Sequence, residues 1–161
     1  MPLIETAAGM AAAHEICAVD DVARAPFGTI DFANDLGVDP DDREALQFYR
    51  SMLVLASAAA GLASPIDGVT TTFDRTDTVT ADFKYSRRLG LTGKLCIHPT
   101  QVAAVHAAAA PSDGDIRWAT AIVDAVDSCG TNGGSAAVEG RMVDAPVVER
   151  ARRILAERAR S

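Results

Sequence analysis

The sequence predicts an α/β chain of about four parallel β/α units, half of an eight-stranded barrel, followed by a helix–hairpin–helix tail. Short apolar, β-branched runs alternate four times with helix-length stretches before residue 110; that alternation marks parallel β/α construction. The first two apolar runs both finish on a carboxylate, Glu5 and Asp31. After Pro111 the pattern changes to helix, Gly-rich turn, small hairpin and helix. Residues 1–110 are therefore expected to form a partial barrel and residues 111–161 a lid or tail segment.

The first strand is expected over Pro2–Thr6. Residues 7–20 are Ala-rich with apolar repeats at helical spacing, which predicts a helix. Phe27–Phe32 reads as the second strand, with Phe27, Thr29 and Asp31 on one side and Ile30 and Phe32 on the other. Residues 33–39 read as loop. Pro40 suits the first turn of a helix running to about Gly61, with Asp39 as its N-cap and Asp41, Asp42 and Glu44 favouring its dipole. Ile66–Phe73 is β-branched and strand-like. Asp74–Arg88 predicts a helix ended by Gly90, Gly93–His98 a fourth strand, and Pro99 opens a helix over 99–110. In the tail, Ser112 is placed to cap a helix over 113–128. Gly130, Gly133 and Gly134 make a turn, Ala136–Met142 a hairpin with Glu139-Gly140 at its tip, and Pro146 starts the last helix.

The chain has 161 residues, 48% of them hydrophobic, enough for a genuine core. No run approaches the length of a membrane span. Met1 runs directly into strand-like sequence, so no signal peptide is expected. A net charge of −7 argues against nucleic acid, because no basic face offsets phosphate repulsion. Cys17, Cys96 and Cys129 are widely spaced and odd in number, which suits a reduced, cytoplasmic protein.

Two neighbouring parallel strands that each end in an acid can hold one hard cation between them. Oxygen-only ligation by Glu5 and Asp31 points to Mg²⁺, which keeps several waters and leaves positions for substrate oxygens. His98 lacks partners at zinc-like spacing and is expected to cap the helix begun by Pro99 or to hydrogen-bond at a strand end. Asp35 and Asp39 read as caps, and Cys96 as packed within its strand. The six arginines from Arg141 to Arg160 read as a solvated helix face. On chemistry alone Asp144, just before the last helix, reads as an N-cap.

Four stretches, PLIETAAG (2–9), FGTIDFANDLG (27–37), GKLCIHPTQV (93–102) and GRMVDAPVVERARRIL (140–155), together resemble the HpcH/HpaI aldolase superfamily. The resemblance is to its citrate lyase beta subunit-like branch, which includes malyl-CoA and citramalyl-CoA lyases. It implies the second half of a (β/α)₈ TIM barrel, with Glu5 and Asp31 as the two Mg²⁺-ligating carboxylates. It also implies that Asp144 is the tail acid/base, reaching the site of an adjacent subunit in a homo-oligomer, by resemblance a trimer. The implied substrate is an acyl-CoA: a carboxylated 3-hydroxyacyl-CoA cleaved between carbons, with thioester hydrolysis as a variant outcome. Residues 93–101 would correspond to the last barrel strand and its turn, near bound coenzyme A.

The resemblance covers only the second half of that barrel, so an arginine, a further acidic strand end and a lysine-bearing strand have no counterpart here. Arg24, Arg75 and Lys94 do not stand at matching positions. An open four-stranded parallel sheet exposes two unpaired edges, so the chain is expected to be a fragment of a longer lyase with impaired activity alone. Two other readings stay open. One is a metal-dependent hydroxyketoacid aldolase, against which the GRMVDAPVVERA tail argues. The other is a non-catalytic half-barrel that binds coenzyme A or a partner subunit.

Overall fold

A computed structural model describes residues 1–72, 74–129, 136–138 and 141–158. The chain forms two bodies, Met1–Ala109 and Ala110–Ser161. Phe73, the glycines at 130, 133 and 134, the hairpin tip at 139–140 and Arg160, all assigned above from sequence, lie outside the described residues. Among the described residues no helix is long and apolar enough to cross a membrane.

The first body is built on four extended segments lying side by side and parallel. Ile4 pairs with Phe27 and Pro26 with Ile66. Strand β1 (Ile66–Asp67) pairs with β2 (Gly93–Lys94) in the register Ile66↔Gly93, Asp67↔Lys94. The Ile4 amide donates to the Pro26 carbonyl (2.9 Å), the Gly28 amide to Ile4 (2.8 Å) and the Phe27 amide to Ile66 (2.9 Å). The Leu95 amide closes the row on Asp67 (2.9 Å).

Helices follow each segment. The stretch expected as one helix over 7–20 is two short ones, α1 (Ala7–Ala11) and α2 (Ala13–Cys17), broken where Ala12 leaves helical geometry. The expected strand over Phe27–Phe32 is overturned. Its extended part ends at Phe27, and α3 (Thr29–Leu36) begins two residues later with Gly28 as N-cap. Thr29, Phe32, Ala33 and Leu36 recur at helical spacing and are turned inward, so Asp31 stands in the first turn of a helix and not at a strand end. Residues 33–36, expected as loop, complete that helix.

Helix α4 (Arg43–Ala59) starts later than expected. Asp42, not Asp39, is its N-cap, accepting from the Glu44 and Ala45 amides at 2.9 and 3.2 Å. Asp39 instead takes the Asp41 amide (2.9 Å) in the turn ahead of the helix. With two amides depending on it, Asp42→Ala should cost about 0.5–2 kcal/mol of stability, read as a lowered urea midpoint; Asp39→Ala should cost less.

Strand pairing in β1 and β2 is limited to two residues each, shorter than the expected 66–73 and 93–98. The chain leaves the row once the C-terminal ends are reached. Cys96, expected to be packed, is consequently exposed. Helix α5 (Thr76–Leu89) ends at Gly90, which adopts φ +104°, and α6 (Pro99–Ala109) follows β2. Ile4, Phe27, Phe32, Leu46 and Leu53 form the principal core, where Phe32 meets Phe27 and Tyr49 edge-on at 5.1 and 4.7 Å. Val79, Phe83 and Val105 join α5 to α6.

The second body contains α7 (Asp113–Cys129), strands β3 (Ala136–Val138) and β4 (Arg141–Val143), and α8 (Ala145–Arg158). The strands pair antiparallel, Ala136 opposite Val143. Ser112 caps α7 as expected: its Oγ accepts the Asp115 amide (3.1 Å) and the Asp115 carboxylate takes the Ser112 amide (3.3 Å). Ala119, Ile122, Val143 and Ala151 are its buried core.

Candidate functional site

Functional side chains of parallel β/α folds gather beyond the C-terminal ends of the strands. Glu5 and the first turn of α3 leave adjacent ends, because Ile4 and Phe27 are paired. Glu5 lies directly against Gly28: a β-carbon on that glycine would fall 2.5 Å from the Glu5 Cβ and 3.2 Å from its Oε2. Only a glycine lets the half-buried Glu5 stem pass so close to the backbone that opens α3. Asp31, exposed three residues further on, stands where the helix N-terminus favours negative charge.

The remaining acids near these ends differ in being engaged. Asp35 accepts the Ala7 amide (2.7 Å), capping α1 across the chain. Asp67 is paired to Arg50 and Asp82 to Arg43. Neither Glu5 nor Asp31 has a hydrogen bond or ion pair with another described residue, so both carboxylates are available as oxygen donors. Among the described residues no three His, Cys, Asp or Glu side chains are arranged to hold a metal. Two carboxylates plus water and substrate oxygens are, however, a donor set suited to Mg²⁺.

His98 stands just ahead of α6, where its Nδ1 accepts the Thr100 amide (3.3 Å) and lies 2.9 Å from the Thr100 hydroxyl. The helix-start role expected for it is what the geometry gives. Asp144 is exposed at the start of α8 and its Oδ1 accepts the Val147 amide (3.3 Å), so it does cap that helix. Its Oδ2 is unengaged among the described residues, and capping leaves that oxygen available.

Two polar residues, Arg50 and Gln101, were not singled out from the sequence, and a third, Lys94, was set aside there. Arg50 donates from Nε to Asp67 Oδ1 at 2.8 Å, and the two side chains are only 9% and 2% exposed. The signal was present: Leu46, Arg50, Leu53 and Ser57 form the inward stripe of α4, with an arginine in its middle. Arg50 Nη1 is buried without a partner among the described residues; the polar cavity of about 30 Å³ that Arg50 lines has room for a water to serve it. Gln101, fully buried, accepts the Ile97 amide (3.0 Å) and donates to the Thr70 carbonyl (2.9 Å). It thereby joins the loops that follow β1 and β2.

Lys94 donates to the Gly68 carbonyl at 2.8 Å. Burial pushes its pKa below the ordinary 10.5, against the opposing pull of Asp67 and Asp82. Just below 10.5 the unfolded chain therefore holds more protons than the folded one, and stability from this group rises with pH across that window. Lys94→Met should remove the rise, seen as a flatter urea midpoint from neutral pH upward.

The family model for HpcH/HpaI aldolase/citrate lyase matches residues 1–99. The chain is 40% identical over 159 residues to a citrate lyase subunit beta-like protein of Deinococcus radiodurans, covering 97% of this chain and 55% of that protein. It is 34% identical to a (3S)-malyl-CoA thioesterase of Cereibacter sphaeroides, covering 96% of this chain and 55% of that enzyme. It thus spans about half the length of these curated relatives. Among solved structures, CitE of Mycobacterium tuberculosis in complex with magnesium, acetoacetate and coenzyme A superposes with a TM-score of 0.85. That match is 29% identical and covers 98% of this chain and 60% of CitE. With the model matched over most of the first body and relatives aligned along nearly the whole sequence, the chain belongs to the HpcH/HpaI aldolase/citrate lyase family.

Proposed function

We propose that this chain forms the second half of a (β/α)₈ barrel and carries the metal site of a Mg²⁺-dependent carbon–carbon lyase. The substrate class is a carboxylated 3-hydroxyacyl-CoA of the malyl-, citramalyl- or citryl-CoA type. The observation that carries this is the pair Glu5 and Asp31: one carboxylate just past the Ile4 segment and one in the helical turn that follows the neighbouring Phe27 segment, neither with a hydrogen bond or ion pair among the described residues. The relatives' names, and a CitE complex holding both magnesium and coenzyme A, support the same chemistry.

Glu5 and Asp31 hold and orient the ion. When bound, Mg²⁺ acts as Lewis acid and template for the substrate's hydroxy or keto oxygen. As the carbon–carbon bond breaks, the substrate hydroxyl becomes the carbonyl of the keto fragment and gives up its proton to water. The bonding electron pair is left on the carbon next to the thioester, and Asp144 supplies the one proton that this carbon takes up, so that protons balance. Asp144 does so in the site of an adjacent subunit of a homo-oligomer, a trimer by family resemblance. Turnover by this chain requires the strands of the amino-terminal half, which cover its open sheet edge. Thioester hydrolysis is a second reading, favoured by the malyl-CoA thioesterase relative.

Incubation with malyl-CoA and Mg²⁺ separates the two. Acetyl-CoA production, restored or raised by an amino-terminal barrel half, is the lyase result; free coenzyme A with intact malate is the hydrolase result. Neither product under any combination would sink the proposal. Asp144→Ala should spare metal affinity and lower turnover by about 10²–10⁴-fold, the usual loss of acid/base help.

A further inference from the structure

The close backbone contact beside Glu5 is one of a series that runs along the ends of the paired segments. Gly28 is tight against Glu5, and a second bare backbone repeats the arrangement one segment along. A β-carbon at Gly68 would fall 2.0 Å from Thr29 Oγ1, 2.6 Å from its Cγ2 and 2.8 Å from its Cβ. Thr29 is the first residue of α3 and is 3% exposed, so it has nowhere to retreat. Gly68 is itself held, because its carbonyl accepts the Lys94 ammonium at 2.8 Å. Lys94 is in turn in β2, whose pairing with Asp67 fixes the residue before Gly68. The sequence of contacts is Lys94 to Gly68, Gly68 to Thr29, and Thr29 to the first helical turn that carries Asp31.

We propose that Lys94 and Gly68 are positioning residues for the metal site: Lys94 clamps the Gly68 carbonyl, and the bare Gly68 seats Thr29 so that Asp31 is presented towards Glu5. This rests on the metal assignment above. Neither residue touches the ion. Each acts on where the Asp31 carboxylate stands, an outer-shell role whose loss typically weakens metal binding about 10–100-fold.

The test uses the full 161-residue chain, with Mg²⁺ by calorimetry and Mn²⁺ by paramagnetic resonance. Gly68→Ala drives a methyl into Thr29 and should weaken both affinities by about 10–100-fold. Adding Thr29→Gly removes the obstructing atoms and should restore most of the affinity. Lys94→Met, which keeps the stem but not the donor, should weaken binding with the Gly68 packing intact, and it decides the matter should Gly68→Ala fail to fold. Phe83→Leu, a core change between α5 and α6, should lower the melting temperature without moving metal affinity. Wild-type affinity in Gly68→Ala, or in Lys94→Met, overturns the positioning role; so does a folded Gly68→Ala that Thr29→Gly does not rescue. A wild-type chain that binds neither ion removes the metal assignment itself, a distinguishable failure.

Discussion

Asp31→Ala should abolish Mg²⁺ binding while leaving the fold and melting temperature nearly unchanged. The carboxylate is exposed and makes no hydrogen bond or ion pair with another described residue, so the fold loses little with it. What the proposed site loses is half of its two-carboxylate donor set. Mg²⁺ commonly keeps its waters and binds through one or two carboxylates, so removing one of two should take affinity below the working range of calorimetry. Glu5→Ala should have the same effect on the ion. Because the Glu5 stem also packs on Gly28, it should additionally lower stability somewhat. Unchanged affinity in Asp31→Ala would remove Asp31 from the site.

The largest stability effect is expected at Asp67. Asp67→Ala strands Arg50, a guanidinium whose side chain is only 9% exposed and whose Nη1 already lacks a partner among the described residues. Breaking a buried pair from one side costs about 3–5 kcal/mol, because the remaining charge stays desolvated. The aromatic rings near Arg50, Phe27 at 5.9 Å and Tyr85 at 5.8 Å, offset only part of this. Replacing both partners, Arg50→Met with Asp67→Leu, should cost much less than Asp67→Ala alone. Urea unfolding of the three variants measures the difference. A double variant as unstable as the single one would mean that the pair's position, and not its isolated charge, matters.

Much of this was legible in the sequence. The four β/α repeats, the stop at Gly90, the Ser112 cap and the hairpin all follow from local chemistry, and the structure has them; the stop expected at about Gly61 falls two residues earlier, at Ala59. The misreading of Phe27–Phe32 has a clear physical origin. A six-residue apolar run has no unambiguous period, and only its continuation through Ala33 and Leu36 reveals the helical one. Strand lengths were overestimated because β-branched composition reports fitness for a strand, whereas pairing ends where the neighbouring segment turns away. The Arg50–Asp67 pair and the Lys94–Gly68 contact join residues from separate elements. Sequence spacing alone carries no trace of such a meeting beyond an arginine on an inward stripe. Glu5 and Asp31 became candidates because each closes an apolar run in the sequence; the structure keeps Glu5 just past a paired segment and moves Asp31 from a strand end into the first turn of α3.

The central claim, one ion shared by Glu5 and Asp31, is tested most directly by titrating Mn²⁺ into isotope-labelled chain and following paramagnetic broadening of the amide signals. Broadening that begins at residues 4–6 and 28–33 and is displaced by Mg²⁺ is the predicted result. Broadening that begins elsewhere, or that persists in the Glu5→Ala, Asp31→Ala double variant, would contradict it.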